Sequence, residues 1–390
     1  SLKCDYFIDD LIKVFNNKKV PNFTKKILYN NNLKKINKDI NYFSDWDEIR
    51  NYFFKKNNLI YVQKLYAEVT KNNNFKIKAI ESRANSDVYK IIINNKKFLF
   101  KIYPNNNDLR ERLLIEFKAL NFLTENNIRN IPQPIQKNKF YNVGIYEYLD
   151  GTSTTTPNSQ QINAALLMIK KLRKLYLADY NKFNFKASEA CFDFNSLKVQ
   201  IDRKFNDLNK LHYNKSINKF IKFNLKPLWK TLHENSRAHW PKNNINNYLN
   251  KYHRTFSLSD FGFHNSIIKN KKVRFIDFEY FGYEDPVKIM SDFLWHPAMR
   301  ISKKNSLIWQ KGMFNIFRDD KMFKRRFYAS HNMYGIRWIL IMLKYLSKDN
   351  NKRKSNLLTD KNTQNKNLKK IMFYFKKLKT YDKIYKNYEI

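Results

Sequence analysis

In SLSDFGFHNSII, Asp260 is followed five residues later by Asn265, and in VRFIDFEYFGYEDP, Asp277 closes an apolar, strand-like run. A carboxylate, an amide and a second carboxylate thus lie within eighteen residues, on two loops flanked by β-like runs, and can converge on one cation cluster. Their donor atoms are hard oxygens, which suit magnesium. Phosphoryl transfer needs little covalent help beyond such a set: a positioned hydroxyl, a carboxylate beside it, magnesium on the phosphates and cations to hold the nucleotide. Nearby residues carry blander readings. His253, His264 and His296 share no metal-ligand spacing and read as hydrogen-bonded structural residues. Tyr280, Phe281, Trp295 and Trp338 read as core more than as an acceptor pocket.

The two motifs, in this order and at this spacing, resemble those of the aminoglycoside phosphotransferase and choline kinase superfamily. That family's catalytic loop reads His-Gly-Asp with Asn five residues on. Its metal motif is an Ile-Asp-Phe-Glu run ending in Asp-Pro and followed by another Asp, here IDFEYFGYEDP and then Asp292 in MSDFLWHP. The resemblance covers residues 73–350 and implies an α+β, two-lobed protein-kinase-like fold: a β-rich N-lobe, a mostly helical C-lobe and a small N-terminal α/β extension. It implies that Asp260 is the catalytic base or hydroxyl-orienting carboxylate, that Asn265 and Asp277 bind magnesium, and that Asp292 buttresses the catalytic loop. Lys101, in FLFKIY, would grip the nucleotide phosphates, with Glu116 on the next helix as its ion-pair partner and Glu111 as a rival for that role. Backbone amides near Asn85 and Ser86 would contact phosphate, and main chain near Glu147 and Leu149 would pair with the adenine edge. The cofactors implied are ATP and Mg2+, and the acceptor is a hydroxyl of a sugar or an amino alcohol. Glu279, Glu284 and Asp285 offer an acidic pocket for a cationic acceptor.

One departure lies in the loop itself, where Leu258 and Ser259 stand in place of the family's His and Gly. The His supports loop geometry and the Gly spares space, so the change bears on rate and packing. The alternative reading is accordingly a nucleotide-binding pseudokinase or scaffold with a basic surface.

The elements that must position these residues follow from periodicity. FKIKAI, DVYKIII and KKFLFKIY form a three-stranded meander with an NNKK turn. Leu113, Leu114, Phe117, Leu120 and Leu123 mark a helix, with Phe122 off its main stripe. The segment from Pro132 to Gly151, with KFYNVGIYEYLDG, returns to strands, and GTSTTTPNSQQ reads as a linker and lobe boundary. Helices dominate from Gln160 onwards, interrupted by the β-like HNSIIKN and KKVRFIDF, and the basic tail from Lys366 to Lys386 reads as a solvated amphipathic helix. The expected domains are 1–72, an accessory segment, 73–150, the N-lobe, and 151–390, the C-lobe and tail. CDYFIDDL, the Pro21 turn, KKILYN and FSDWDEI also look like the last strand and tail of a haloacid-dehalogenase-type phosphatase domain, with Asp9 and Asp10 as its paired metal-binding aspartates. That domain's nucleophile-bearing half has no counterpart, so a structural remnant or docking segment is expected, without phosphatase activity.

At 390 residues, with 43% hydrophobic and 16% aromatic residues, the chain can fill two or three domain cores. It contains no apolar run of membrane-spanning length, and its acidic N-terminal segment lacks the pattern of an export signal, so a cytoplasmic protein is expected. Cys4 and Cys191 stand far apart, which argues against a disulfide framework or zinc site. The formal charge of +41 is spread over lysines in nearly every segment, among many asparagines. No nucleic-acid-binding motif accompanies it, so no specific nucleic-acid partner is expected.

Overall fold

The structure, a computed structural model, describes residues 6–15, 24–29, 40–43, 46, 49, 59–80, 86–104, 111–347 and 361–385. Contacts gather the chain into two units, residues 1–104 with 138–145, and residues 105–137 with 146–390.

In the first unit, β1 (Tyr6–Asp9), α1 (Ile12–Phe15), β2 (Lys25–Tyr29) and β3 (Ile40–Phe43) build a parallel sheet in the order β1-β2-β3. Ile27 and Leu28 are fully buried at its centre. This is the expected α/β extension. Asp9 ends β1, and its Oδ1 accepts the Leu11 amide at 2.8 Å. α2 (Leu59–Thr70) buries Val62, Leu65, Tyr66 and Val69, the i, i+3, i+4, i+7 stripe of one helical face. That stripe packs on Tyr89, Ile91 and Phe100 of the following meander.

The meander is antiparallel, with β4 (Lys76–Ile80) against β5 (Asp87–Ile93) and β5 against β6 (Lys96–Ile102). Asn94 and Asn95 turn the second hairpin at φ +47° and +63°, a left-handed pair that asparagine tolerates well.

α3 (Arg112–Glu125) and β7 (Pro134–Asn138) precede β8 (Val143–Glu147). α3 buries Leu113, Leu120 and Leu123 as expected, but Phe122 is buried too. Its ring meets Phe183 and Phe256 at 5.6 Å each, because this helix is covered on two faces. β7 and β8 are the strands expected between Pro132 and Gly151, and a turn with Asn142 at φ +52° separates them.

The rest of the second unit is mainly helical. α4 (Ser159–Asp179) and α5 (Phe194–Asn209) each open on a reciprocal capping box, Asn158 with Gln161 and Asp193 with Ser196. α6 (Lys215–Phe220) and α7 (Lys226–His239) follow, joined by one π-helical turn over Ile221–Leu225. Four short strands come next, and two of them, β9 (Thr255–Ser257) and β12 (Gly282–Glu284), had no signal in the pattern. They pair antiparallel and bracket the expected hairpin of β10 (Ser266–Lys269) with β11 (Lys272–Phe275). α8 (Pro286–Trp295), α9 (Lys303–Ile316), α10 (Phe323–Lys344) and α11 (Lys361–Tyr385) complete the unit.

Two expectations are corrected here. The Ser/Thr-rich run after Gly151 is not a free linker. Thr152 exchanges both backbone hydrogen bonds with Ile268 (3.1 and 2.8 Å), and the Pro157 carbonyl accepts Asn305 Nδ2 at 2.7 Å. Gly151 sits at φ +144°, where an added Cβ would stand 2.5 Å from the Ile268 carbonyl oxygen. Nor is the basic tail merely solvated. α11 buries Ile371, Tyr374, Phe375 and Leu378 and packs on α10, and Lys377 reaches inward to the Leu294 carbonyl while Lys366, Lys369, Lys376 and Lys379 are exposed.

Candidate active site

β9 leads into the loop that carries Asp260, the candidate catalytic residue. Leu258 is fully buried and Ser259 nearly so, at φ +64°. This is the left-handed region, which a glycine adopts at no steric cost and a serine does not. Hydrogen bonds hold it there. Its amide donates to Ser257 Oγ at 2.8 Å, its hydroxyl donates to the Ser188 carbonyl at 2.8 Å, and Lys288 Nζ donates to that hydroxyl at 3.1 Å. Asp260 follows with about a third of its side chain open to solvent.

Three groups converge on the Asp260 carboxylate. His264 Nε2 lies 3.1 Å and His296 Nε2 3.2 Å from Oδ1, and Asn265 Nδ2 lies 3.3 Å from Oδ2. Burial alone would raise the Asp260 pKa, but hydrogen bonding from His264 and His296 outweighs it and holds the carboxyl well below its usual range. Burial pushes His296 below the ordinary imidazole value, against the pull of Asp260. The two imidazoles stack, centroids 3.8 Å apart and within 5° of parallel. Both histidines therefore belong to the carboxylate's surroundings, a role that sequence spacing did not signal, whereas His253 faces Asp320 at 3.8 Å.

The β10–β11 hairpin brings the other two oxygen donors together. Ser266 pairs with Phe275, and the Ile276 amide donates to the Asn265 carbonyl at 3.0 Å, so Asn265 and Asp277 flank the same closed end of the ladder. Asn265 spends its Nδ2 on the Asp260 carbonyl and carboxylate, which leaves Oδ1 as the donor atom it can offer a cation. Asp277 stands at φ +69°, and its carboxylate lies within 4.8 Å of those of Glu116 and Glu279. An all-oxygen set of this kind fits a hard divalent ion.

Glu116 Oε1 accepts the Phe278 amide at 3.1 Å, so α3 is tied to the residue after Asp277. Glu111, its rival, is exposed at the helix cap.

Asp292 accepts two hydrogen bonds from Arg337 Nη2 (2.7 and 2.6 Å) and one from Trp338 Nε1, and lies 3.3 Å from Lys288 Nζ. Through Lys288 it reaches Ser259, the residue before Asp260, so it supports the loop from behind. The acidic residues expected to receive a cationic acceptor each face a buried cation. Glu279 pairs with Arg112 at 3.0 Å, Glu284 with Lys288 at 2.9 Å and Asp285 with Arg326 at 3.1 Å, all buried. Trp295 and Phe281 are core, while Trp338 presents its ring to His296 with centroids 4.4 Å apart.

In the first unit, Lys101 is buried on β6, unlike a solvated strand lysine, with Nζ 4.9 Å from the Tyr103 ring centre. Ser86 is buried just before β5, and Asn85 lies outside the described residues. In the second unit, the Glu147 amide is spent on the Gln133 carbonyl at 2.8 Å, and its carboxylate accepts Gln133 N and Arg274 Nη1. The Glu147 carbonyl is thus what that residue can offer, and Leu149 lies beyond the strand end.

Residues 76–298 match the phosphotransferase enzyme family. The chain belongs to that family. It is an enzyme of the phosphotransferase class with an alcohol group as acceptor, built on the protein-kinase-like fold. Solved structures share the fold at low identity. Choline kinase from Cryptosporidium parvum Iowa II superposes with a TM-score of 0.54 at 13% identity, covering 84% of this chain and 96% of that one. An amicoumacin kinase in complex with AMP-PNP, Ca2+ and Ami gives 0.55 at 12%, covering 87% and 96%. An ADP-bound aminoglycoside phosphotransferase gives 0.50 at 14%, covering 80% and 96%. No curated protein sequence matches the chain. Among the described residues no helix is long and apolar enough to cross a membrane.

Proposed function

We propose that this phosphotransferase moves the γ-phosphoryl group of ATP onto a hydroxyl of a small molecule, with a sugar as the acceptor class and an amino alcohol as its rival. The observation that carries the reading is the Asp260 carboxylate, held by donors on both oxygens yet a third exposed, beside Asn265 and the hairpin that ends at Asp277. The acceptor oxygen attacks the γ-phosphorus and the bond to the β,γ-bridging oxygen breaks. ADP leaves, and the hydroxyl proton passes to Asp260. Little covalent assistance is needed, so positioning supplies most of the effect.

Asn265 and Asp277 would hold magnesium, which neutralises charge on the phosphates when bound. Lys101 would hold the α- and β-phosphates with Glu116 as its ion-pair partner, the backbone near Asn85 and Ser86 would cover them, and main chain near Glu147 and Leu149 would meet the adenine edge. A sugar is favoured because Glu279, Glu284 and Asp285 each already have a buried cationic partner. A cavity of about 430 Å³, lined among others by Lys186, Ser188, Glu189, Glu279 and Tyr280, adjoins the Asp260 loop through the Ser188–Ser259 hydrogen bond and is large enough for such a ligand.

The test is magnesium-dependent ATP consumption by wild type and Asp260→Asn against pooled sugars, amino alcohols and aminoglycosides, with products read by mass. An acceptor that gains about 80 daltons, and gains nothing with the variant, establishes reaction and substrate together. Nucleotide binding without any product would instead favour a scaffold.

A further inference from the structure

The family's loop histidine is absent from this chain, and its place is taken by Leu258, whose buried side chain has no polar atom. Asp260 Oδ1 nevertheless has two imidazole nitrogens beside it, at 3.1 and 3.2 Å. The two histidines are not equivalent. His296 Nδ1 accepts the Ala298 amide at 3.1 Å, so that nitrogen bears no proton and the ring hydrogen of the neutral form must sit on Nε2, which lies 3.2 Å from Asp260 Oδ1. His264 has no such device, since its Nδ1 is buried without a hydrogen-bond partner, and nothing opposite Asp260 fixes its tautomer.

The same tautomer argument decides against a metal at this His-His-Asp cluster. An imidazole that binds a metal through Nε2 normally donates its other N–H to an acceptor. His296 Nδ1 faces a donor instead.

The His296 ring is fixed from several sides. It lies flat on the His264 ring, the Trp338 ring stands edge-on to it, and its own carbonyl accepts Tyr374 Oη–H from α11 at 3.3 Å. Lys377 Nζ donates to the Leu294 carbonyl at the end of α8, two residues earlier, at 3.2 Å.

We propose that His296 is the positioning residue for the catalytic carboxylate: its Nε2–H, set by the Ala298 amide on the opposite ring nitrogen, holds Asp260 Oδ1 and leaves Oδ2 for the acceptor hydroxyl. The inference rests on Asp260 being the reacting carboxylate. The work that the family assigns to a histidine two residues before the Asp is done here by one that folding brings from the end of α8. A side chain that only fills space would not need its ring proton on a particular nitrogen.

The experiment uses the full chain with 15N-labelled histidine, and reads the His296 ring nitrogens by long-range 1H–15N correlation, assigned with His296→Gln. It then compares turnover and the KM for ATP in wild type, His296→Ala and His296→Gln, after confirming by thermal melting that each variant is folded. We expect the Nε2-protonated tautomer in wild type, a fall in kcat of about ten- to a hundredfold in His296→Ala with KM for ATP within twofold, and recovery of most of that loss in His296→Gln, whose amide supplies an N–H donor. An Nδ1-protonated ring, or His296→Ala with kcat intact, overturns the proposal. Should wild type consume no ATP with any acceptor, it is the kinase reading that fails, and the ring nitrogens still decide whether His296 donates to Asp260.

Discussion

The hydroxyl of Ser259 donates to the carbonyl of Ser188 at 2.8 Å, tying the catalytic loop to the stretch between α4 and α5. That bond, with those from Ser259 N and Lys288, offsets a left-handed backbone that costs a non-glycine residue about 1–3 kcal/mol. Ser259→Gly relieves the conformation but loses the hydroxyl, so stability should change by less than about 1 kcal/mol. Ser259→Val loses the hydroxyl and keeps the strain, and should be destabilised by about 2–4 kcal/mol. Urea unfolding of the two variants checks the order, and equal losses would show that conformation is not what the serine contends with.

Asp292 and Arg337 are both buried and share two short hydrogen bonds. Asp292→Ala leaves a guanidinium without its main partner in the interior and should cost about 3–5 kcal/mol in denaturant unfolding. Replacing both residues together by apolar ones should cost clearly less than the two single losses combined. If the two losses simply add, the pair is not acting as a unit.

Asp277→Asn keeps a residue that tolerates φ +69°, so the loop should survive while one anionic oxygen donor is lost. Isothermal titration should then show ATP binding that no longer tightens on adding magnesium, and turnover should fall by at least about a hundredfold, with melting temperature within a few degrees of wild type. Magnesium-dependent binding as in wild type would remove Asp277 from the cation site.

Burial lowers the pKa of Lys377 from 10.5 to about 8. Between those values the unfolded chain binds the extra proton, so this residue's contribution to stability rises with pH across that window, and its penalty is fully present below pH 8. The melting-temperature gain of Lys377→Met over wild type should therefore be largest near pH 7 and shrink as pH approaches 10.5. A difference that stays constant with pH would mean that the ammonium is not buried.

The residues legible in the sequence were those whose chemistry sits on consecutive segments. Asp260 and Asn265 share one loop, and Asp277 follows across a hairpin whose alternation and Lys-rich turn were visible. His296 was not legible as a partner of Asp260, because only the packing of α8 closes the distance. Phe122 looked peripheral because its helix buries a second face, a tertiary effect that no single-helix stripe encodes. The run after Gly151 had linker composition, yet its backbone groups found a partner in β10. β9 and β12, three residues each, were too short for any periodicity to register.

Lys377 lies 83 residues after Leu294, whose carbonyl it caps. A ribosome adding about 5–20 residues per second needs roughly 4–17 seconds to cover that stretch. During this interval the end of α8 is already made while the helix that braces it is still being synthesised. A nascent or prematurely released product ending before α11 would carry Asp260, Asn265 and Asp277 and still lack the hydrogen bonds that Tyr374 and Lys377 give to the His296 and Leu294 carbonyls.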